Sequence, residues 1–292
     1  MKAAAFDYVR ATSLPHALEL LAEHGMDAKL VAGGQSLVPM MAMRLARPSV
    51  LVDINRLDAL KFLHVQTECV RMGAAMRQRD VELHPTLHQH LPLVRDALRW
   101  VGHVQTRNRG TVGGSLVHAD PSAELPLAAL VLGARLHVHG PAGASRTVDA
   151  ADFFIGTMFT AVGDTECLFE IEWPVWQLPA GHRIGTAFDE TAMREGDFAM
   201  ASAACQLQLD DAGICRRAAL GLGGMDGVPL AFPDLAAQLI GQRSTAPLTQ
   251  DIAHAAAQRT QPGSDLHAAA DYRRELGTVL LARVLQRAGT AH

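Results

Sequence analysis

Apolar positions recur along this chain with two periods, and each period marks a different element. Leu14, Ala17, Leu18, Leu21 and Ala22 fall on one face of a helix opened by Ser13-Leu14-Pro15, with Ser13 as its N-cap. Lys29 to Ala32 and Val50 to Asp53 read as short strands. Between them, Leu37 to Arg44 reads as a Met- and Leu-rich helix that tolerates Pro39 only in its first turn. Residues 1–54 are thus a strand–loop–helix–strand unit with a glycine pair at the strand's carboxyl end. Residues 55–176 read as a second mixed unit. It has strands at Val70–Gly73, Arg135–His139 and Glu166–Trp173, and helices starting at Arg77, at Leu91 (to Val101) and at Ala123 (to Leu132), with a polar turn from Gln105 to Gly110. After a linker at Gln177–Gly181, Ala199–Leu209 and Ile214–Leu222 form a hairpin joined by Asp210-Asp211-Ala212-Gly213, and the pattern is helical from Phe232 onward. The fold class is α+β, and the expected division is 1–176 (as 1–54 and 55–176) and 177–292.

Composition narrows the function. Apolar residues make up 49% and charged residues 19%, which suits a globular protein with a real core. A net charge of −4 carries no footprint for nucleic acid. No apolar run is long enough to span a membrane, and Asp7 interrupts the N-terminus too early for a signal peptide. Cys69, Cys167, Cys205 and Cys215 are scattered, so they are read as free thiols of a cytoplasmic protein and not as a zinc or iron–sulfur set. His137-Val138-His139 is read as a surface strand with its imidazoles on opposite faces, and no metal site is expected.

Chemistry concentrates in two glycine-pair loops. Ala32-Gly33-Gly34-Gln35-Ser36-Leu37 is the first, and Thr111-Val112-Gly113-Gly114-Ser115 the second. Adjacent glycines allow positive φ and close approach of a ligand to bare N–H groups, and such turns bind anions. Two of them could hold the halves of a pyrophosphate. No GxxxxGK[ST] motif is present, and Gly221-Leu222-Gly223-Gly224-Met225-Asp226 fails as a GxGxxG fingerprint because Asp226 stands where a glycine is needed. Ser115, His118 and Asp120 lack the elbow of a hydrolase triad. Asp120 reads as a cap for the helix at Ala123, while Glu124 could accept ribose hydroxyls. The basic turn Arg107-Asn108-Arg109 is a solvated loop or a phosphate clamp.

These residues resemble a known family. Ala32-Gly33-Gly34-Gln35-Ser36-Leu37-Val38-Pro39 is similar to the first FAD loop of the flavoprotein (medium) subunits of molybdenum hydroxylases. Gln105 to Gly114, followed by Ala119-Asp120-Pro121-Ser122-Ala123-Glu124-Leu125-Pro126, resembles the second. Arg194-Glu195-Gly196-Asp197-Phe198-Ala199 and Gly221-Leu222-Gly223-Gly224 resemble signatures of the family's C-terminal domain. The resemblance runs from about residue 3 to the end.

It implies a two-subdomain FAD-binding fold of the vanillyl-alcohol-oxidase type plus a C-terminal domain of antiparallel sheet and helices. FAD would be held by Ala32, Gly33, Gly34, Gln35, Ser36, Leu37, Thr111, Val112, Gly113, Gly114, Ser115 and Glu124. Leu168 would pack on the cofactor and Phe188 lie near the isoalloxazine. Asp189 stands where animal xanthine dehydrogenases carry a lysine near the flavin, and a carboxylate there would disfavour an anionic reduced flavin. No catalytic residue is assigned to this chain. The implied partners are a large subunit with the molybdenum cofactor and a small subunit with two 2Fe–2S iron–sulfur clusters, assembled as a dimer of heterotrimers. Electrons from those clusters would pass through FAD to an external acceptor. The expected substrate of the complex is an N-heteroaromatic compound. The alternatives are carbon monoxide, an aldehyde or a purine, or a self-contained flavin oxidoreductase.

Overall fold

A parallel sheet of three short strands opens the chain. The computed structural model describes residues 2–290. Strands β1 (Asp7–Arg10), β2 (Ala28–Val31) and β3 (Val50–Asp53) lie in the order β1-β3-β2, linked by helices α1 (Leu14–His24) and α2 (Leu37–Ala42). The middle strand, Val-Leu-Val-Asp, is buried at every position, as a central parallel strand must be. Ser13 does cap α1, its hydroxyl accepting from the His16 N–H at 3.2 Å, and Ala17, Leu18 and Leu21 bury the helix against the sheet.

The second body is a five-stranded sheet. Its antiparallel strands are β4 (Leu63–Val65), β5 (Cys69–Gly73), β6 (Arg135–His139), β7 (Ser145–Asp149) and β10 (Cys167–Pro174), in the order β4-β5-β10-β6-β7. Helices α3 (Gln78–Leu83), α4 (Leu87–His90), α5 (Pro92–Leu98), α6 (Val104–Arg109), α7 (Val112–His118) and α8 (Glu124–Leu132) fall between β5 and β6. The run expected to be a polar turn before the second glycine pair is therefore helical at α6. A short helix α9 (Ala150–Phe153) and a two-stranded ribbon, β8 (Phe154–Gly156) with β9 (Phe159–Thr160), precede β10. Helix α8 is buried nearly all round through Leu125, Leu127, Val131 and Leu132. Each such leucine contributes about 1.5–3 kcal/mol.

The third body is an antiparallel sheet, β11 (Arg183–Thr191), β12 (Ala201–Leu209), β13 (Cys215–Gly223) and β14 (Leu230–Ala231), followed by helices α10 (Pro233–Ala237), α11 (Ala246–Gln258) and α12 (Ala270–Thr290). The expected hairpin is β12–β13; strand β11 was not legible. One face of this sheet carries α12, and the other meets α5 and α8. Strand alternation then sorts β11: Ala187 joins the core under α12, while Phe188 joins the core shared with α5 and α8. No helix among the described residues is long and apolar enough to cross a membrane.

Candidate functional site

The first glycine loop leaves β2 at its carboxyl end and turns into α2. Gly34 has φ +69°, a conformation that favours glycine. The N–H groups of Gly34, Gln35 and Ser36 have no acceptor among the described residues. The Gln35 side-chain amide donates to the Gly33 carbonyl at 3.0 Å, which pins the turn. Gly33 is buried against the second loop: a Cβ added there would strike the Arg109 carbonyl and lie 2.8 Å from the Gly110 Cα. The two loops therefore touch, across a long stretch of sequence.

The second loop is built differently. Its N–H groups from Val112 to Ser115 are already bonded inside the protein. Val112 donates to the Met76 carbonyl at 3.0 Å, Gly113 to the Ala74 carbonyl at 2.9 Å and Ser115 to the Thr111 carbonyl at 3.2 Å. Gly114 donates to the hydroxyl of Thr111, the N-cap of α7, at 3.1 Å. Gly113 packs on the residues that follow β5, where a Cβ would meet the Ala74 Cβ at 2.5 Å. So the glycine pair of the second loop has no N–H left for an anion, whereas Gly34, Gln35 and Ser36 of the first loop do.

Charge surrounds the place where the loops meet. Arg107 is consumed structurally: its guanidinium donates to Glu82 at 2.8 Å and to the Val101 carbonyl at 2.9 Å. Arg109 is exposed. Asp120 does not cap α8; its carboxylate accepts from the Ser122 N–H at 2.9 Å in the turn before it, and the N-cap position is Ala123. No hydrogen bond joins Ser115, His118 and Asp120 among the described residues, and burial pushes the His118 imidazole below its ordinary pKa.

Glu124 lies deep in the molecule yet keeps a solvent-facing surface. It faces Glu190 of β11. Burial raises the pKa of both, with Asp120 adding to the effect on Glu124, and Glu124 and then Asp189 adding to that on Glu190. Glu190 is 8% exposed and its Oε2 has no hydrogen-bond partner among the described residues. Glu190 also lines a groove of about 910 Å³ together with Phe188, Trp100, Arg194 and Arg287. Asp189 points the other way, toward α12, where Arg283 and Arg287 each approach at 3.5 Å. Two guanidiniums therefore face the Asp189 carboxylate. Leu168 is buried at the bulge in β10 opposite β6.

The Glu190 geometry gives a pH prediction. The folded chain holds protons on these carboxyls that the unfolded chain releases, so stability is full in acid and falls as pH rises above the ordinary carboxylate range. Glu190→Gln removes that burden at constant shape. Calorimetry should show a raised melting temperature at about pH 8 and little change at about pH 5. Equal shifts at both pH values would assign the effect to packing.

A second group of ionisable residues is structural. The two imidazoles of His137 and His139 do not face opposite sides of β6. Residues two apart share a face, and both side chains flank the buried Val138 on one side. His137 Nε2 lies 3.4 Å from Glu172 and 3.7 Å from Glu170, but Glu170 is held by Arg71 at 2.6 Å and Glu172 by Arg135. Two guanidiniums already neutralise the carboxylates.

The family model "FAD binding domain in molybdopterin dehydrogenase" matches residues 4–176, and "CO dehydrogenase flavoprotein C-terminal domain" matches residues 186–288. The chain belongs to the molybdenum hydroxylase flavoproteins. It is 38% identical over 288 residues to the 6-hydroxypseudooxynicotine dehydrogenase complex subunit alpha of Paenarthrobacter nicotinovorans, covering 99% of this chain and 96% of that protein. It is 34% identical to the caffeine dehydrogenase subunit beta of Pseudomonas sp. strain CBB1, over the same shares of each chain. Among solved structures, reconstituted CO dehydrogenase from Oligotropha carboxidovorans superposes with a TM-score of 0.94 at 34% identity over all of both chains. As a molybdenum hydroxylase flavoprotein, the chain is the FAD subunit of a multi-subunit oxidoreductase.

The surroundings of two residues of this flavoprotein were not legible in its sequence. Glu190 stands out there only as a candidate, with Arg194, for a self-contained flavin oxidoreductase, and only the fold sets it against Glu124. Arg77 reads as the start of a helix and is the N-cap position of α3. It also reaches both bodies that carry the loops: one guanidinium nitrogen donates to Asn55 Oδ1 at 2.8 Å and another to the Arg109 carbonyl.

Proposed function

We propose that this subunit takes electrons from iron–sulfur clusters of a small partner and passes them through FAD to an external acceptor, while a large partner oxidises substrate at molybdenum. The flavin, when bound, supplies the redox chemistry; the chain binds it, orients it and sets its surroundings. Ala32, Gly33, Gly34, Gln35, Ser36 and Leu37 hold one side of its diphosphate, and Thr111, Val112, Gly113, Gly114 and Ser115 form the other wall. Glu124 receives ribose hydroxyls, Leu168 packs beside the cofactor, and Phe188 lies near its ring. The division into 1–176 and 177–292, a dimer of heterotrimers, and a cytoplasmic location complete the reading. No catalytic acid, base or metal is assigned to this chain.

The observation that carries the assignment is the donor set where the loops meet. The N–H groups of Gly34, Gln35 and Ser36 in the first loop have no acceptor among the described residues, and Glu124 is only partly covered, which fits a dinucleotide threaded between the bodies. For the complex, N-heteroaromatic oxidation is favoured by the names of relatives that act on a nicotine derivative and on caffeine; carbon monoxide, aldehyde and purine are the competing substrates. The test is a visible spectrum of the chain affinity-purified gently from its native host, with subunits resolved on a gel. Flavin bands overlaid by broad iron–sulfur absorption, with one larger and one smaller partner, are expected. Flavin bands on a single polypeptide would instead mark a self-contained flavoenzyme.

A further inference from the structure

Arg77 occupies a position that the flavin reading leaves unexplained. Its guanidinium is tied at two points: to Asn55, and to the Arg109 carbonyl, the same oxygen that a Gly33 Cβ would strike. Asn55 is anchored in turn, its amide donating to Asp53 Oδ1 at 2.7 Å and to the Val31 carbonyl at 3.5 Å, and Asp53 accepts from Tyr8. One hydrogen-bonded line thus runs from β1 through β3 to Arg77 and on to the second loop. A guanidinium has five N–H donors, and two of Arg77's are committed here, which leaves three.

The charge is also unspent. Among the described residues no carboxylate lies within 4 Å of Arg77 or of Arg109, whereas Arg71, Arg107, Arg135 and Arg146 each have one. Burial, and then repulsion by Arg109, push the Arg77 pKa below its usual value. Two unneutralised cations therefore stand together where a free-N–H loop meets a loop whose N–H groups from Val112 to Ser115 are occupied. An arrangement of that kind invites an anion, and Arg is suited to phosphate oxygens.

We propose that Arg77 straps the two glycine loops together and sets its remaining N–H donors against the diphosphate of the dinucleotide between them. The inference rests on the FAD reading above. Arg77 supplies on the second loop's side the donors that its backbone from Val112 to Ser115 has already used.

The full-length chain, stripped of flavin, is titrated with FAD and with ADP at low and high salt, as wild type, Arg77→Met and Arg77→Lys. ADP carries the diphosphate without the flavin. Arg77→Met should weaken both ligands at least about tenfold, and its binding should lose much of the wild type's salt sensitivity. Arg77→Lys keeps the charge without the fork, so it should keep the salt sensitivity and recover part of the affinity. Apo-protein melting curves show whether each variant folds; if Arg77→Met does not, an Arg77→Lys affinity equal to wild type overturns the proposal. So does an Arg77→Met chain that binds both ligands as wild type does. Weakened FAD binding with unchanged salt sensitivity and unchanged ADP affinity reduces Arg77 to a structural strap and overturns its contact with the diphosphate. A wild-type chain that takes up no FAD overturns the FAD reading itself, and with it this proposal; the other outcomes leave that reading standing.

Discussion

Replacing Gly33 by valine is expected to yield a colourless protein. The sequence suggests a simple reason: a β-branched side chain would keep a ligand from the bare backbone. The structure supplies a stronger one. The space that a Gly33 Cβ needs is filled by the Arg109 carbonyl and the Gly110 Cα, which are backbone atoms of the opposite loop and cannot rotate aside. The loops must separate, and the Arg77 strap, which holds that same carbonyl, goes with them. Overpacking against immovable backbone costs about 3 kcal/mol or more, and the place proposed for the dinucleotide loses its shape. Flavin-to-protein ratio after gel filtration is the first readout, and the urea midpoint the second. A variant with full flavin content and an unchanged midpoint would refute both the loop assignment and the contact.

Gly185→Ala is expected to detach the C-terminal helix. A Cβ at this β11 position would collide with the Ala288 carbonyl and lie 2.8 Å from its carbon. Helix α12 is thus seated directly on the strand. It buries Leu280, Leu281, Val284, Leu285 and Ala288 there and carries the arginines that face Asp189. A single methyl group must lift the last turn of this helix, at a cost of about 3 kcal/mol or more. The measurement is urea unfolding with limited proteolysis, in which the variant should be cut early within α12. Gly263→Ala is the control, since its Cβ meets nothing within 4 Å, and it should behave as wild type. A Gly185→Ala protein as resistant as the control would show that the helix has room to shift.

The legible and illegible parts of this molecule divide by the range of the forces involved. Ser13, the Met-rich helix after the first loop, the apolar α8 and the β12–β13 hairpin each announce themselves through neighbours in sequence. Strand β11 does not: Arg183 to Thr191 mixes glycine, threonine and two acids, because one of its faces is covered by α12 and the other by a different body. Helix α6 reads as a turn because it buries none of its residues; Arg107, clasped by Glu82, holds it in place. The second glycine pair is visible, but not that its N–H groups are spent on the Ala74 carbonyl and the Thr111 hydroxyl. The Asp189 and Glu190 environments follow from tertiary packing alone.

The strand order of the first sheet has a consequence for synthesis. Its middle strand, β3, is the last of the three to be made, so β1 and β2 have nothing to pair with until Asp53 has left the ribosome. The first loop then waits for Arg109 and Gly110 to arrive before its opposite wall exists. On the FAD reading proposed above, a nascent chain has both walls of the site only once the second loop, ending at Ser115, has followed the first out of the ribosome.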